Sequence, residues 1–319
     1  MRGLTLIPPN TNIRFIDRRM IFLWASALFI AASVILFAFR GLNYGIDFTG
    51  GILIEVRVPG GADLGRMRGQ LSALGLGEVG LQEFGAPDDV LVRVQRQKGG
   101  EEAQQRAIDA VKTVLGPNVD YRRTEFVGPK VSRELFWSGV TAVGFALLAI
   151  LVYIWFRFEY QFGICAVIAL AHDVLSTIGV FSMIGFEFNL STVAAILTIA
   201  GYSINDTVVV FDRVRENLRK FKTMPLAELL NKSVNDTLSR TLMTSLTTLL
   251  ALFSLYFLGG EVIRGFSFAM IWGVLVGTYS SVCIAVPLLL YMGIHKRPSE
   301  RAEGAKGAEA NAEDPPQVP

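Results

Sequence analysis

The sequence predicts a bundle of six transmembrane α-helices, interrupted after the first by one small α+β domain outside the membrane. Three observations carry that prediction. Hydrophobic residues make up 51% of the chain against 18% charged, and a mean hydropathy of +0.44 excludes an ordinary soluble enzyme. Six apolar runs each reach the length of about 18 residues that marks a membrane-crossing helix. Between the first and second runs the pattern changes to short alternations and amphipathic stretches, which read as strands and helices of a water-facing domain.

In chain order, residues 1–19 form a short cytoplasmic N-terminus in which Arg14, Arg18 and Arg19 precede an uncharged run at 20–39. The resulting helix, 20–40, exceeds the apolar core of about 7–15 residues in a signal peptide, and no small-residue cleavage site follows it, so it stays as an anchor. Within 41–134, strands are expected at 52–58 and 90–95 from their alternation, with weaker ones at 78–84 and 120–127. Helices are expected at 63–74 and 101–115, with Asp63 as N-cap and Gly75 and Gly116 as stops. The order βαββαβ is that of a ferredoxin-like sandwich. Arg66, Arg68, Arg93, Arg96, Arg122 and Arg123 read as a solvated face, with a protein-contact surface as the other reading. No catalytic His, Cys or Ser/His/Asp grouping is present, and no dense basic and aromatic stripe points to nucleic acid.

The remaining spans, at 135–156, 162–184, 190–211, 241–258 and 266–294, make up a membrane unit over 135–294. Basic residues alternate between the loops. Arg157 follows span two, and Arg213, Arg215, Arg219, Lys220, Lys222 and Lys232 follow span four. His295, Lys296 and Arg297 follow span six, whereas the loops 185–189 and 259–265 hold Glu187, Glu261 and one Arg264. The positive-inside rule then puts both termini and the loop 212–238 in the cytoplasm and the α+β domain outside. That loop reads as a short amphipathic helix on the membrane surface, broken near Pro225, and the polar tail 295–319 reads as disordered. Cys165 and Cys283 lie far apart in apolar runs and read as packed hydrophobes, with neither a disulfide nor a zinc site.

Span four carries Asn205 and Asp206 inside its apolar length. Asp206 precedes Asp212 by six positions, or about 9 Å of helix, which is too deep for snorkelling to the edge. An intramembrane aspartate is by default a functional candidate; a structural contact between helices is the alternative. A proton carrier there needs a carboxylate on which burial and a nearby cation act in opposite directions. Arg240, at the start of span five, is the cation at compatible depth. Thr241, Thr244, Thr247 and Thr248 follow it and either line a hydrated path or bond their own helix backbone. His172 and Asp173 sit near the middle of span three, about 100° apart around the helix. Asp173 is a candidate for the relay or for helix contacts, and His172 reads as a hydrogen-bonded contact. Gly273 and Gly277 form a close-packing Gly-x-x-x-Gly face in span six.

Several strings resemble the SecD/SecF family. They are Gly45-Ile46-Asp47-Phe48-Thr49-Gly50-Gly51, Val127-Gly128-Pro129-Lys130-Val131-Ser132, Ala171-His172-Asp173-Val174, the run from Gly201 to Arg213, Ser239-Arg240-Thr241 and Gly259-Gly260. The resemblance implies an accessory subunit of the bacterial Sec export machinery in the inner membrane, related to the resistance-nodulation-division transporters and driven by the proton motive force. It implies no cofactor beyond the coupling proton and no metal. The implied partners are SecD, which supplies the other six helices, the SecYEG channel, YajC, membrane lipid and the translocating unfolded polypeptide. Asp206 and Arg240 are then the proton relay, with Asp173, Asn205 and Thr207 as further members, and Gly45, Asp47, Phe48, Gly50 and Gly51 are the outer motif. Two other readings remain. An intramembrane aspartyl protease pairing Asp173 with Asp206 lacks the Gly-x-Gly-Asp string of such enzymes. One half of a small-molecule or lipid exporter has much larger outer domains than 41–134.

Overall fold

The computed structural model describes residues 8, 11–77, 79–260 and 263–294, the side chains of Phe84 and Pro87 excepted. The tail expected over 295–319, with His295, Lys296 and Arg297, lies outside the described residues, as does Glu261.

Among the described residues, six helices are long and apolar enough to cross a membrane. They are α1 (Arg19–Arg40), extended at its start by a 3-10 turn at Ile16–Arg18, α5 (Pro129–Arg157), α6 (Tyr160–Ile184), α7 (Leu190–Lys220), α8 (Leu226–Leu258), and a last span made of α9 (Arg264–Ser280), a π segment (Ser281–Ala285) and α10 (Val286–Tyr291). Local chemistry sets their ends. Pro129 opens α5 in its first turn, where a missing N–H costs nothing. Asn189 caps α7 in a capping box with Thr192. The π segment precedes Pro287, which has no N–H to return to the Cys283 carbonyl, so the regular ladder cannot run through.

More than half of the apolar window of α6, α7 and the last span is buried within the chain, against less than a fifth for α1, α5 and α8. The first three therefore form the centre. Glycines let them approach: a Cβ on Gly273 would lie 2.2 Å from Ile199 Cγ1, and one on Gly277 3.1 Å from Ser203 Cβ. The Gly-x-x-x-Gly face of the last span is thus the seam with α7.

Between α1 and α5 lie β1 (Asn43–Tyr44), α2 (Ile46–Thr49), β2 (Gly51–Arg57), α3 (Leu64–Ser72), β3 (Val79–Phe84), β4 (Ala86–Val94), α4 (Gly100–Leu115) and β5 (Asp120–Val127). The four longer strands form an antiparallel sheet in the order β3-β4-β2-β5. With α3 and α4 on one face, over Ile52, Ile54, Val92 and Val94, this is the expected ferredoxin-like sandwich. Asp63 caps α3, accepting from Arg66 N at 3.0 Å, and α4 stops at Gly116 with φ +84°. β4 begins four residues before the expected position 90. Gly85 turns the chain at φ +84°, and Asp89, one residue before the expected strand, is buried opposite Arg57 in the β2–β4 register and bound by it at 2.7 Å.

β1 pairs in parallel with β6 (Glu187–Phe188), which lies between α6 and α7, so the α+β domain is stitched to the link between two central helices. The stretch 212–238 is not a separate surface helix. α7 continues to Lys220, and Leu226 already begins α8, where Leu229, Leu230 and Val234 are fully buried in the largest core cluster. The break does fall at Pro225, the N-cap of α8.

Candidate functional site

Two buried carboxylates sit among the central helices, and their surroundings differ. Asp173 on α6 is fully buried. Its Oδ2 accepts from Ser203 of α7 at 2.5 Å and from Ser280 of α9 at 2.8 Å, and its Oδ1 lies 3.1 Å from His172 Nδ1. Both oxygens thus have partners, and Asp173 joins three helices at one point. His172 is buried as a hydrogen-bonded partner of Asp173, its ring 6.2 Å from that of Tyr279.

Asp206 on α7 is 6% exposed, and its Oδ1 accepts from Thr241 Oγ1 of α8 at 2.7 Å. The Ser281 hydroxyl, in the π segment, lies beside the same carboxyl. The same hydroxyl lies 2.8 Å from the Gly277 carbonyl oxygen, to which it donates, and 2.9 Å from the Thr207 hydroxyl. Oδ2 of Asp206 is buried with no hydrogen-bond partner among the described residues. Leaving such an oxygen unpaired is expensive, so the carboxyl is poised to take a proton or gain a donor.

Arg240 precedes Thr241 and acts on Asp206 electrostatically, but it is exposed and forms no ion pair with it within 4.0 Å. The expected charged pair is replaced here by the Thr241 hydroxyl, because residue 241 rather than 240 faces α7. Thr244, Thr247 and Thr248 bond the carbonyls four positions back on their own helix. Asn205, next to Asp206 in sequence, is exposed. No hydrogen bond joins Asp173 to Asp206, so the two do not form an acid–base dyad.

The outer motif forms the junction between sheet and bundle. Gly45 N donates to Phe188 O at 2.9 Å, and a Cβ there would lie 2.5 Å from Glu187 Oε1. Asp47 Oδ2 accepts from Leu190 N at 2.9 Å, at the start of α7, where a helix N-terminus favours an anion. Phe48 packs with Tyr44, Phe136 and Phe188. Gly51, at φ +123°, runs so close to β4 that a Cβ would sit 2.7 Å from Val94 O. Arg93 is not part of a solvated face: it is 24% exposed, 3.0 Å from Glu187 and bonded to Asn43 at 2.8 Å. Arg122 and Arg123 are likewise engaged, with Asp89 and Glu125.

The serines at 203, 280 and 281 escaped the sequence reading. Their only signal is that each stands in a helix seam of small residues, where a hydroxyl costs no space and supplies a donor. Among the described residues no group of three or more His, Cys, Asp or Glu side chains could hold a metal ion.

Six helices long and apolar enough to cross a membrane, a polar centre between them, one α+β domain and a glycine-rich junction define a multi-pass membrane protein of the transport-subunit kind. The family model for the protein export membrane protein SecD/SecF, C-terminal, matches residues 107–295, and that for the SecD/SecF GG motif matches 35–58. The protein translocase subunit SecF of Rhodobacter capsulatus is 46% identical, with 98% of each chain covered. That of Rickettsia rickettsii is 46% identical over 90% of this chain and 94% of the relative. The crystal structure of SecDF, a translocon-associated membrane protein from Thermus thermophilus, superposes with a TM-score of 0.82 at 36% identity, covering 90% of this chain and 39% of that one. A SecDF structure in a super-membrane-facing form gives 0.63 at 34% identity, covering 95% of this chain and 40% of the other. The chain belongs to the SecD/SecF family of protein export membrane proteins, among the SecF translocase subunits. It spans about two fifths of the SecDF chains it matches.

Proposed function

We propose that this chain works with SecD in the bacterial inner membrane, using the proton motive force to promote late stages of polypeptide translocation through the SecYEG channel, with YajC in the same assembly. Both termini are cytoplasmic, 41–134 is periplasmic, and the ancestry is that of the resistance-nodulation-division transporters. The observation that carries the reading is the buried, unpartnered Oδ2 of Asp206. In the working cycle the proton binds at that oxygen. With the proton absent, Arg240 swings in from one residue before Thr241 and pairs with the carboxylate; with it present, the neutral carboxyl no longer offsets the desolvation of Arg240, which leaves. The arrangement described here, with Thr241 bonded and Arg240 outside, fits the released limb of that cycle. Asp173, saturated by two serines, acts as the fixed point between α6, α7 and α9, and Thr207 orients Ser281 beside the carboxyl.

SecD as the other half is supported by what the chain leaves exposed. Ala194, Thr198, Gly201 and Asn205 repeat at helical spacing along α7, and Arg240, Thr244 and Thr247 along α8. Polar and small faces of this kind are poorly served by lipid and are served by another helix. The half-exporter reading is not carried forward, since the matching relatives are SecF translocase subunits. The test is proton flux in liposomes. The chain alone should be inert and the chain with SecD should conduct; conduction by the chain alone would place the whole pathway within six helices and overturn the shared-relay reading.

A further inference from the structure

At the end of the bundle away from the sheet domain, a cleft of about 580 Å³ opens between the α5–α6 turn and α7, lined by Arg157, Asp212, Arg215, Glu216, Arg219 and Lys220. The α7 members recur at intervals of three and four and so share one helix face. Four cations stand against two carboxylates, and both carboxylates are already engaged. Asp212 accepts from Arg157 Nη2 at 2.7 Å through each oxygen, and Glu216 accepts from Arg213 at 2.7 Å. The guanidinium groups of Arg157 and Arg215 are held over the Phe158 ring at 5.0 and 5.4 Å, and Arg215 Nη1 also donates to the Arg157 carbonyl at 3.1 Å. Arg219 and Lys220 are exposed at the rim.

The depth of the cleft is marked by its neighbours. Arg157 closes the apolar run of α5, and Trp155 and Tyr160 on either side are exposed, as aromatic residues at headgroup level are. Leu148, Val152 and Phe156, spaced by four along α5, form an exposed apolar stripe that ends one residue before Arg157.

We propose that this cleft binds the phosphate of an anionic phospholipid, with the acyl chains lying along the Leu148, Val152 and Phe156 stripe. A phosphate group suits the fork of an arginine better than a point charge does. The lipid is anionic rather than zwitterionic because no carboxylate is left over to receive a choline or ethanolamine cation. The apolar stripe is what distinguishes a lipid from a soluble phosphate, which would have no use for it.

Native mass spectrometry of the full chain, released from mixed micelles of phosphatidylglycerol and phosphatidylcholine, tests the assignment, with inorganic phosphate added in a parallel arm. Phosphatidylglycerol should be retained selectively, and Arg219→Gln with Lys220→Gln should weaken retention by about thirtyfold, from roughly fivefold per basic side chain near a membrane surface. The charge-preserving exchange Arg219→Lys with Lys220→Arg should keep it, so that a folding defect in the first variant does not pass for lost binding. Equal retention of the two lipids, or unaltered retention in the neutralised variant, would overturn the proposal. Displacement of bound phosphatidylglycerol by millimolar inorganic phosphate would also overturn it, assigning the cleft to a soluble phosphate ligand.

Discussion

Asp206→Asn separates the chemistry of the membrane site from its architecture. The amide has the shape of the carboxyl, and its oxygen keeps the 2.7 Å bond from Thr241. Its Nδ2 takes the place of Oδ2, which has no partner to lose. An amide left without an acceptor there would cost about 1–3 kcal/mol, but the Ser281 oxygen beside it is available as one, so folding and association with SecD should change by no more than about 1 kcal/mol. The functional loss is larger. One proton moving down 100 mV yields about 2.3 kcal/mol, which biases a two-state element by nearly fiftyfold. The variant carries no proton at this position, so the bias disappears. The assay is completion of a partly translocated polypeptide in inner-membrane vesicles, with and without an imposed proton gradient. Wild type should accelerate with the gradient and Asp206→Asn should not, with equal SecD recovered in both. Gradient stimulation of normal size in a well-assembled Asp206→Asn would refute the reasoning and move the relay to Asp173.

Gly273→Leu should lower the stability of the bundle by about 1–3 kcal/mol through overpacking against Ile199, read as a drop in Tm in detergent, and adding Ile199→Ala should recover most of it. The hydrogen bond from Arg57, with the charge of Arg122 adding to it, holds the Asp89 carboxyl below its ordinary value. That stabilisation is complete above the unfolded value of about 4 and is lost as the pH falls through the lower folded one. Amides of β2 and β4 should therefore lose protection, relative to the intrinsic exchange rate at each pH, on acidification below about pH 4, and Asp89→Asn should flatten the dependence. For orientation, Gly80→Cys should react with an impermeant thiol reagent at the outer face and Thr223→Cys should not; both sites lie outside the spans, Cys165 and Cys283 are buried, and the reverse pattern would invert the topology.

The spans were legible because a membrane helix writes its length as a run of apolar residues, and the sheet was legible where strands alternate. The reading failed where one residue's meaning depends on a distant partner. Asp89 falls just before the strand that alternation predicts until Arg57 is placed opposite it, and Arg93 looks solvated until Glu187, from the link between α6 and α7, comes within 3.0 Å. The segment 226–238 is amphipathic in sequence for the reason that a surface helix would be; only the packing shows its apolar side facing protein. Asp206 and Asp173 were legible as intramembrane carboxylates. Their different fates were not, since serines supply the difference and a serine in a small-residue seam carries no distinctive pattern. Arg240 was picked out by charge, but which of two successive side chains faces Asp206 is a matter of helix rotation.

The parallel pairing of β1 with β6 alters what kind of motion the outer domain can make. A body hung from two chain crossings, here at the ends of α1 and α5, can swing about the line between them. The β1–β6 ribbon, with Arg93 clamped on Glu187 and Asp47 on the first turn of α7, adds a third tie. With three ties the swing is stopped unless the third one travels, so a displacement of α7 is delivered to the sheet as a turn of the crank rather than dissipated in a loose joint.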